Sequence, residues 1–252
     1  MKIGAKIIQV KSCSSTNDLA NAMALEGEEE GTVIIAEEQT AGRGTKGRVW
    51  FSGMKKGLYL SVILRPGVKD LSLLPLAAGL ALRDALSEIA KLPVSLRWPN
   101  DLICRGGKLG GILCEASFLG NEISHAVLGV GLNVNHDEES FPVQIRSQAT
   151  SLKILHAKEF DARPFLFKLW QIMDDWYRIF LAGKKAQIIR AFEEFSEFSP
   201  GDRLTIITEK TKMTGEYLGI DLGGRLLLRL QGVERSFLAP EILGIKKEIG
   251  EE

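Results

Sequence analysis

The chain has 252 residues, enough for one large or two modest domains with buried cores, and its 45% hydrophobic and 25% charged content is that of a globular protein. Thirty-two basic against 32 acidic side chains leave a net charge of +0, so bulk electrostatics give no support to a duplex nucleic-acid binder. The most apolar stretch, Leu71 to Leu82, is broken by Ser72, Pro75 and Gly79, well short of the ~20 apolar residues that span a bilayer.

In chain order, Lys6 to Val10 reads as a strand, and Ser14-Ser15-Thr16-Asn17 supplies N-caps for a helix through Leu19, Ala20, Met23 and Ala24 that stops at Gly27. A strand from Thr32 to Ala36 is followed by a polar, glycine-rich loop, and Leu58 to Leu64 alternates as a strand. Leu71 to Ala90 has helical apolar spacing, and Val94 to Trp98 is a short strand. Asp101 to Arg105 and Lys108 to Ser117 form a hairpin turning at Gly106-Gly107, and Ile123 to Val134 follows the turn at Gly120-Asn121. Two helices, capped by Asp161 and interrupted at Gly183, carry the stripe Phe165, Leu169, Ile172, Trp176 and Phe180, which reads as core. From Ser199-Pro200-Gly201 the texture changes to short strands, Arg203 to Thr208, Met213 to Ile220, Arg225 to Leu230 and Glu234 to Leu238. The expected division is therefore an α+β domain over 1–198 and a small all-β barrel over 199–252. That second segment holds 8 basic and 9 acidic residues, so it lacks the excess of cations a nucleic-acid partner requires.

Cys13, Cys104 and Cys114 have no Cys-x-x-Cys spacing, and His125, His136 and His156 have no metal-ligand spacing. The cysteines read as reduced and structural, and no protein metal site is expected. The N-terminal segment lacks a secretory pattern, which predicts a cytoplasmic protein.

Gly42-Arg43-Gly44-Thr45-Lys46-Gly47-Arg48 is the densest chemical signal: three glycines and four cation-bearing or hydroxyl residues that can bring backbone N–H groups and charge to an anion. It satisfies G-x-G-x-x-G, but Val49-Trp50-Phe51 and a strand follow where a dinucleotide fold needs a helix. A protein kinase is excluded because the strand Leu58 to Leu64 carries no lysine and His-Arg-Asp and Asp-Phe-Gly are missing. A Walker loop fails because Arg48-Val49 stands in place of Lys-Ser/Thr. Alone, the segment would be a turn with solvated charges. It is joined by Arg97-Trp98-Pro99-Asn100-Asp101 at a strand corner, by Lys108-Leu109-Gly110-Gly111-Ile112-Leu113, and by Gly129-Val130-Gly131-Leu132-Asn133. Lys108 by itself would be a solvated lysine that protects a sheet edge.

In order and spacing, these motifs, with Ser15-Thr16-Asn17, Gln39 ahead of the glycine loop and the terminal barrel, resemble the biotin protein ligases over nearly the whole chain. The resemblance implies a mixed sheet with helices, like that of lipoate–biotin ligases and class II synthetases, plus an SH3-like barrel. It implies an enzyme that activates biotin with ATP to biotinyl-5'-adenylate and transfers biotin to a lysine of a carrier domain, in a biotin-dependent carboxylase or decarboxylase. Lys108 then bridges the biotin carboxylate and the α-phosphate, and Arg43 contacts the same region. Both are the expected catalytic residues. Ser15, Thr16, Asn17, Gln39, Arg43, Gly44, Thr45 and Lys108 are the expected biotin-binding set, and Arg43, Arg48, Trp50, Asn100, Lys108 and Asn133 the ATP-binding set. For Ser15 and Thr16 helix capping is an equal reading, and Asn17 either caps or binds the ureido ring. Mg2+ enters with the ATP phosphates. Thr45 stands where relatives often carry another arginine.

The resemblance further implies a short form without the DNA-binding domain of some relatives, hence no nucleic-acid and no membrane partner, and it is compatible with a homodimer. A lipoate or octanoate ligase on the same fold and a non-catalytic biotin sensor are the alternatives. Arg43, Arg48 and Lys108 argue for catalysis, and the glycine loop with Arg97 to Asp101 argues for biotin.

Overall fold

The computed structural model describes residues 2–248. Strand β1 (Ile7–Cys13) is followed by helix α1 (Thr16–Leu25), β2 (Val33–Gln39), β3 (Gly57–Leu64) and α2 (Leu74–Ile89). Three hairpin-linked strands come next, β4 (Val94–Arg97), β5 (Asp101–Cys104) and β6 (Gly107–Leu119), paired onward to β7 (Glu122–Asn133). Then come α3 (Val143–Arg146), α4 (Leu152–His156), α5 (Arg163–Leu181) and α6 (Lys185–Glu194). The chain finishes with β8 (Arg203–Ile207), β9 (Lys212–Ile220), β10 (Leu226–Leu230), β11 (Val233–Phe237) and β12 (Gly244–Lys247).

The first seven strands form one mixed sheet in the order β1-β2-β3-β7-β6-β5-β4. β1 and β2 run parallel because α1 crosses between them, and the remaining neighbours are antiparallel. Alternation along β3 and β7 splits the sheet into two faces. Leu58, Leu60, Val62 and Leu64, with Ala126, Leu128, Val130 and Leu132, point into the main core beneath α2, α5 and α6. The opposite face carries Ile63 and Val127, which pack against Ala20 and Ala24 of α1. Beyond that small cluster this face is unusually bare, because Gly111, Gly129 and Gly131 lie on it in adjacent strands.

α2 is apolar nearly all round because it is buried on most sides between the sheet and α5 and α6. α5 buries Phe165, Leu169, Trp170, Met173, Tyr177 and Phe180 and ends ahead of Gly183, whose φ of +66° closes the helix. The β5–β6 turn places Arg105 and Gly106 at φ +48° and +80°, the pair of positive values that a tight two-residue hairpin requires. The last five strands make an antiparallel sheet, β11-β10-β9-β8-β12.

Several boundaries depart from the sequence reading. β2 runs to Gln39, three residues beyond the expected end, because its pairing with β1 continues to Cys13↔Gln39. α2 begins at Leu74, with Pro75 in its first turn, and α5 begins at Arg163 with Ala162 as its cap. Asp161 still serves that end, accepting the Arg163 N–H at 3.0 Å. α3, α4 and β12 were not legible as elements, being only four or five residues long. Among the described residues no helix is long and apolar enough to cross a membrane.

Candidate active site

The glycine-lined sheet face forms the floor of the candidate site, called the cleft below, and Asn17 and Trp50 lie upon it. Register sets its rows: Ser61, Gly129 and Leu113 lie abreast in β3, β7 and β6, and Tyr59, Gly131 and Gly111 form the next row. Asn17 stands over the first row, where a Cβ on Gly129 would come within 2.2 Å of its Oδ1. Trp50 lies over the second, where a Cβ on Gly131 would meet its Cε2 at 2.4 Å. Glycine is needed at both positions so that these side chains can reach the sheet.

At one end of the cleft, the start of α1 and the end of β2 build a polar network. Ser15 caps α1 by accepting the Asn17 N–H at 3.3 Å. Gln39 Oε1 accepts from the Thr16 backbone N–H at 2.8 Å and from its hydroxyl at 3.0 Å, and Gln39 Nε2 donates to Ser52 Oγ at 2.9 Å. Ser61 Oγ lies 2.8 Å from Thr16 Oγ1 and 2.6 Å from Asn17 Oδ1. Asn17 also donates its amide to Glu115 at 2.7 Å. Ser15, Thr16, Asn17 and Ser61 are all buried, so these partners meet the demand that buried polar groups be paired. Capping, which the sequence held open for Ser15 and Thr16, is realised by Ser15. Thr16 is engaged by Gln39 instead.

The glycine loop closes over this end as a narrow hairpin. Gly44 N–H donates to Arg48 O at 2.7 Å, Trp50 N–H to Gly42 O at 2.9 Å, and Arg43 bridges Val49. A Cβ at Gly42 would lie 2.5 Å from Trp50 O and 2.6 Å from Ser52 Oγ, so only glycine permits the neck of the hairpin to close against β2. Thr45 begins a single 3-10 turn and accepts from Arg48 through its carbonyl and its hydroxyl, at 3.3 and 3.1 Å. Burial pulls the Lys46 ammonium below its ordinary pKa, with Arg48 adding to the shift.

Arg43 binds Glu115 through both Nη atoms, at 2.8 and 2.9 Å, and Asp18 at 2.6 Å. Partial burial would weaken its charge, but the two carboxylates more than offset that and raise its pKa. Arg43 thus sits at the Asn17 end, tied to Asp18 and Glu115, and not beside Lys108, whose catalytic role the sequence reading expected it to share.

Lys108 occupies the other end. Its Nζ lies 2.7 Å from Asp101 Oδ1 and 5.5 Å from the Trp50 ring centroid. Its backbone is clamped on the side away from β5, where Lys108 N–H donates to Gln148 O at 2.7 Å and Thr150 N–H donates to Lys108 O at 3.0 Å. Asn133 Nδ2 donates to the same carbonyl at 3.3 Å, and Asn100 Nδ2 donates to Ile112 O at 2.7 Å. Both asparagines therefore brace the strand that carries Lys108. Trp50 Nε1 is a buried donor with no partner among the described residues, lying against the backbone of Gly131 while Lys108 sits over the ring.

The structure thus gathers Ser15, Thr16, Asn17, Gln39 and Arg43 at one end and Trp50, Asn100, Lys108 and Asn133 at the other, with Gly44, Thr45 and Arg48 in the hairpin above. Asp101, already part of the Arg97-to-Asp101 motif, belongs to the same constellation, as do Glu115, Asp18, Ser52 and Ser61, which escaped the sequence reading. Ser61 had a signal, as a hydroxyl in the otherwise apolar run Leu58 to Leu64. Glu115 and Asp18 had none, since their partners lie far away in the chain. Cys13, Cys104 and Cys114 are free thiols. Burial, with Glu115 second, pushes Cys114 up to about 12, so it is inert as a nucleophile at neutral pH.

The chain matches the Biotin/lipoate A/B protein ligase family over residues 9–133. It is 30% identical to the bifunctional ligase/repressor BirA of Bacillus spizizenii over 245 residues, covering 96% of this chain and 75% of that protein. It is 32% identical to the biotin–[acetyl-CoA-carboxylase] ligase of Paracoccus denitrificans over 228 residues, covering 84% of this chain and 91% of that one. The Aquifex aeolicus biotin protein ligase solved with biotin and ATP superposes with a TM-score of 0.84 at 29% identity, over 97% of this chain and all of that one.

Proposed function

We propose the following division of labour from the premise that the chain belongs to the biotin protein ligase family and is an ATP-dependent ligase that activates biotin and transfers it to protein. The observation that carries the assignment of roles is the glycine-floored sheet face with a network of hydroxyl and amide side chains, backed by Arg43 and Glu115, at one end and a lysine at the other. A bicyclic urea needs paired donors and acceptors in a dry slot, because leaving them unpaired is costly. Ser15, Thr16, Asn17 and Gln39 supply such groups, with the backbone of Arg43, Gly44 and Thr45 closing over them.

Activation brings a carboxylate against the α-phosphate of ATP while pyrophosphate leaves, so negative charge accumulates at the far end. Lys108 is the cation placed there and acts as the catalytic residue. Its partner Asp101 holds the ammonium in place until the anions arrive. Trp50 offers its indole N–H and a flat face, Asn100 and Asn133 hold the lysine strand against the nucleotide side, and Arg48 on the hairpin meets the phosphates. Arg43 orders the hairpin over the bound adenylate. Magnesium arrives as part of the nucleotide substrate. The mixed anhydride is destroyed by water, and the hairpin 42–48 shields it until the carrier's lysine attacks the acyl carbon and AMP leaves.

The acceptor in this reading is the biotin carrier domain of a biotin-dependent carboxylase, reached in the cytoplasm. Residues 199–252, of which 249–252 lie outside the described residues, act as a second, SH3-like domain that buttresses the active site. The test is incubation with MgATP and either biotin or lipoate, followed by intact mass of the adenylate and of an added carrier domain. A mass increment of biotin on one carrier lysine is the expected result, and lipoylation in its place would overturn the specificity.

A further inference from the structure

Arg97 and Asp101 are directly opposed at the turn end of the β4–β5 hairpin, flanking residues 98–100. Residues so paired project to one face with Cβ atoms about 5 Å apart, so an arginine and an aspartate there are placed to form an ion pair. In this structure each is engaged elsewhere. Arg97 donates its Nε and Nη2 to the two oxygens of Glu197, the Nη2 contact being 2.8 Å. Asp101 Oδ1 lies 2.7 Å from Lys108 Nζ.

Glu197 is delivered to Arg97 by the chain that leads from α6 into the terminal sheet. Leu96 N–H donates to Phe195 O at 2.7 Å and Glu197 N–H donates to Leu96 O at 2.9 Å, a parallel bridge that lays residues 195–197 along β4. One residue on, Trp98 Nε1 donates to Gly224 O in the β9–β10 turn at 3.0 Å. The β4–β5 corner is therefore fixed from outside by residues of the C-terminal third of the chain.

We propose that Glu197 is a positioning residue for adenylate formation: by taking both arms of Arg97 it leaves Asp101 free to hold Lys108. This rests on the reading of Lys108 as the catalytic cation. The Arg97 guanidinium is held above its ordinary pKa first by Glu197, against the lowering effect of burial, with Asp101 contributing from a greater distance. The two acids thus share the neighbourhood of one cation. A partly buried guanidinium that loses its fork-shaped partner is destabilised, and the nearest replacement anion is Asp101. Its swing toward Arg97 would take the anchor from Lys108 without any change at the biotin end of the cleft.

The experiment measures adenylate formation by pyrophosphate release in the full chain, with biotin and MgATP varied separately. Glu197→Gln is expected to slow turnover about 10-fold and leave the biotin KM within about 2-fold, a split that general loss of structure does not produce. Removing the competing cation as well, in Arg97→Met/Glu197→Gln, is expected to restore turnover to within about 3-fold of the parent, because the two changes are coupled through Asp101. A double variant as slow as Glu197→Gln would overturn the proposal and leave Glu197 a structural tie. If Glu197→Gln does not fold, the double variant, which leaves no unpaired charge, is compared with Asp101→Asn. Fast turnover in the first and slow in the second supports the proposal, and equally slow turnover in both overturns it. Lys108→Ala runs in the same assay. Parental turnover there sinks the catalytic reading of Lys108, whereas an inactive Lys108→Ala beside a fully active Glu197→Gln sinks the role of Glu197 alone.

Discussion

Gly129→Ala tests the cleft at its floor. The backbone at 129 is ordinary extended sheet, paired to Ser61 on one side and Leu113 on the other, so alanine brings no conformational penalty there. The added methyl meets Asn17 instead, at 2.2 Å from Oδ1, 2.9 Å from Cγ and 3.1 Å from Nδ2. These distances are far inside van der Waals contact, and Asn17 must retreat by about 1 Å to reach the usual carbon–heavy-atom separation. The retreat breaks the contacts to Ser61 at 2.6 Å and Glu115 at 2.7 Å. Two lost hydrogen bonds at about 1 kcal/mol each give about 2 kcal/mol of destabilisation. For a chain of this size that is a fall in Tm of about 4–8 °C.

Because Thr16 and Gln39 are bonded to each other beside Asn17, the biotin KM should rise about 10-fold or more while the KM for ATP stays nearly constant. Thermal unfolding by circular dichroism and pyrophosphate release against biotin concentration report the two effects. Gly129→Ala/Asn17→Ala, in which the same two hydrogen bonds are absent and no amide is left to clash, should be about as stable as Gly129→Ala and recover little of the biotin affinity. A single variant with parental Tm and parental biotin KM would refute the idea that Asn17 over Gly129 shapes the site.

Lys108→Ala is expected to fold and to lose adenylate synthesis, raising the barrier by about 3 kcal/mol, and Lys108→Arg should not restore it because a planar fork does not replace a point charge. Retained synthesis in single-turnover mass spectrometry would exclude the lysine. Trp98→Phe removes the hydrogen bond to Gly224 O, and a stability loss of about 1 kcal/mol in urea unfolding is expected. Thr45→Arg breaks the Thr45 hydroxyl contact to Arg48 and adds a cation, so release of purified adenylate should slow; an unchanged release rate would remove position 45 from retention.

His136 is fully buried between Phe51 and Phe141, and burial, with Lys56 second, pulls its pKa down to about 4, against a smaller opposing effect of Asp137. The unfolded chain takes up that proton near pH 6.5 and the native chain does not, so stability is present above about 6.5 and is lost by up to about 1.4 kcal/mol per pH unit as pH falls toward 4. Urea midpoints at pH 7 and pH 5 should differ less in His136→Phe than in the parent. Equal pH dependence in the two would show that His136 does not titrate this way.

The sequence by itself determined the parts that depend on local pattern. Helical spacing gave α1, α2, α5 and α6, alternation gave β3, and glycines marked the turns before β6 and β7, although the first of these turns lies at Arg105-Gly106, one residue before the Gly106-Gly107 expected, because β6 already begins at Gly107. The site motifs were legible for the same reason: Gly42-Arg43-Gly44, Lys108-Leu109-Gly110-Gly111 and Gly129-Val130-Gly131 are short runs in which glycine spacing and charge are visible without a fold. Only the tertiary structure decided which side chains those runs meet. The register of β6 with β7 places Gly111 beside Gly131 and so makes a floor, and it carries Glu115 to Asn17 and Arg43 from 98 and 72 residues away. Chain separation of that order leaves no local trace, since the free energy of such a pair depends on distances that the whole sheet sets. The same holds for Glu197, whose grip on Arg97 exists because residues 195–197 return to lie along β4.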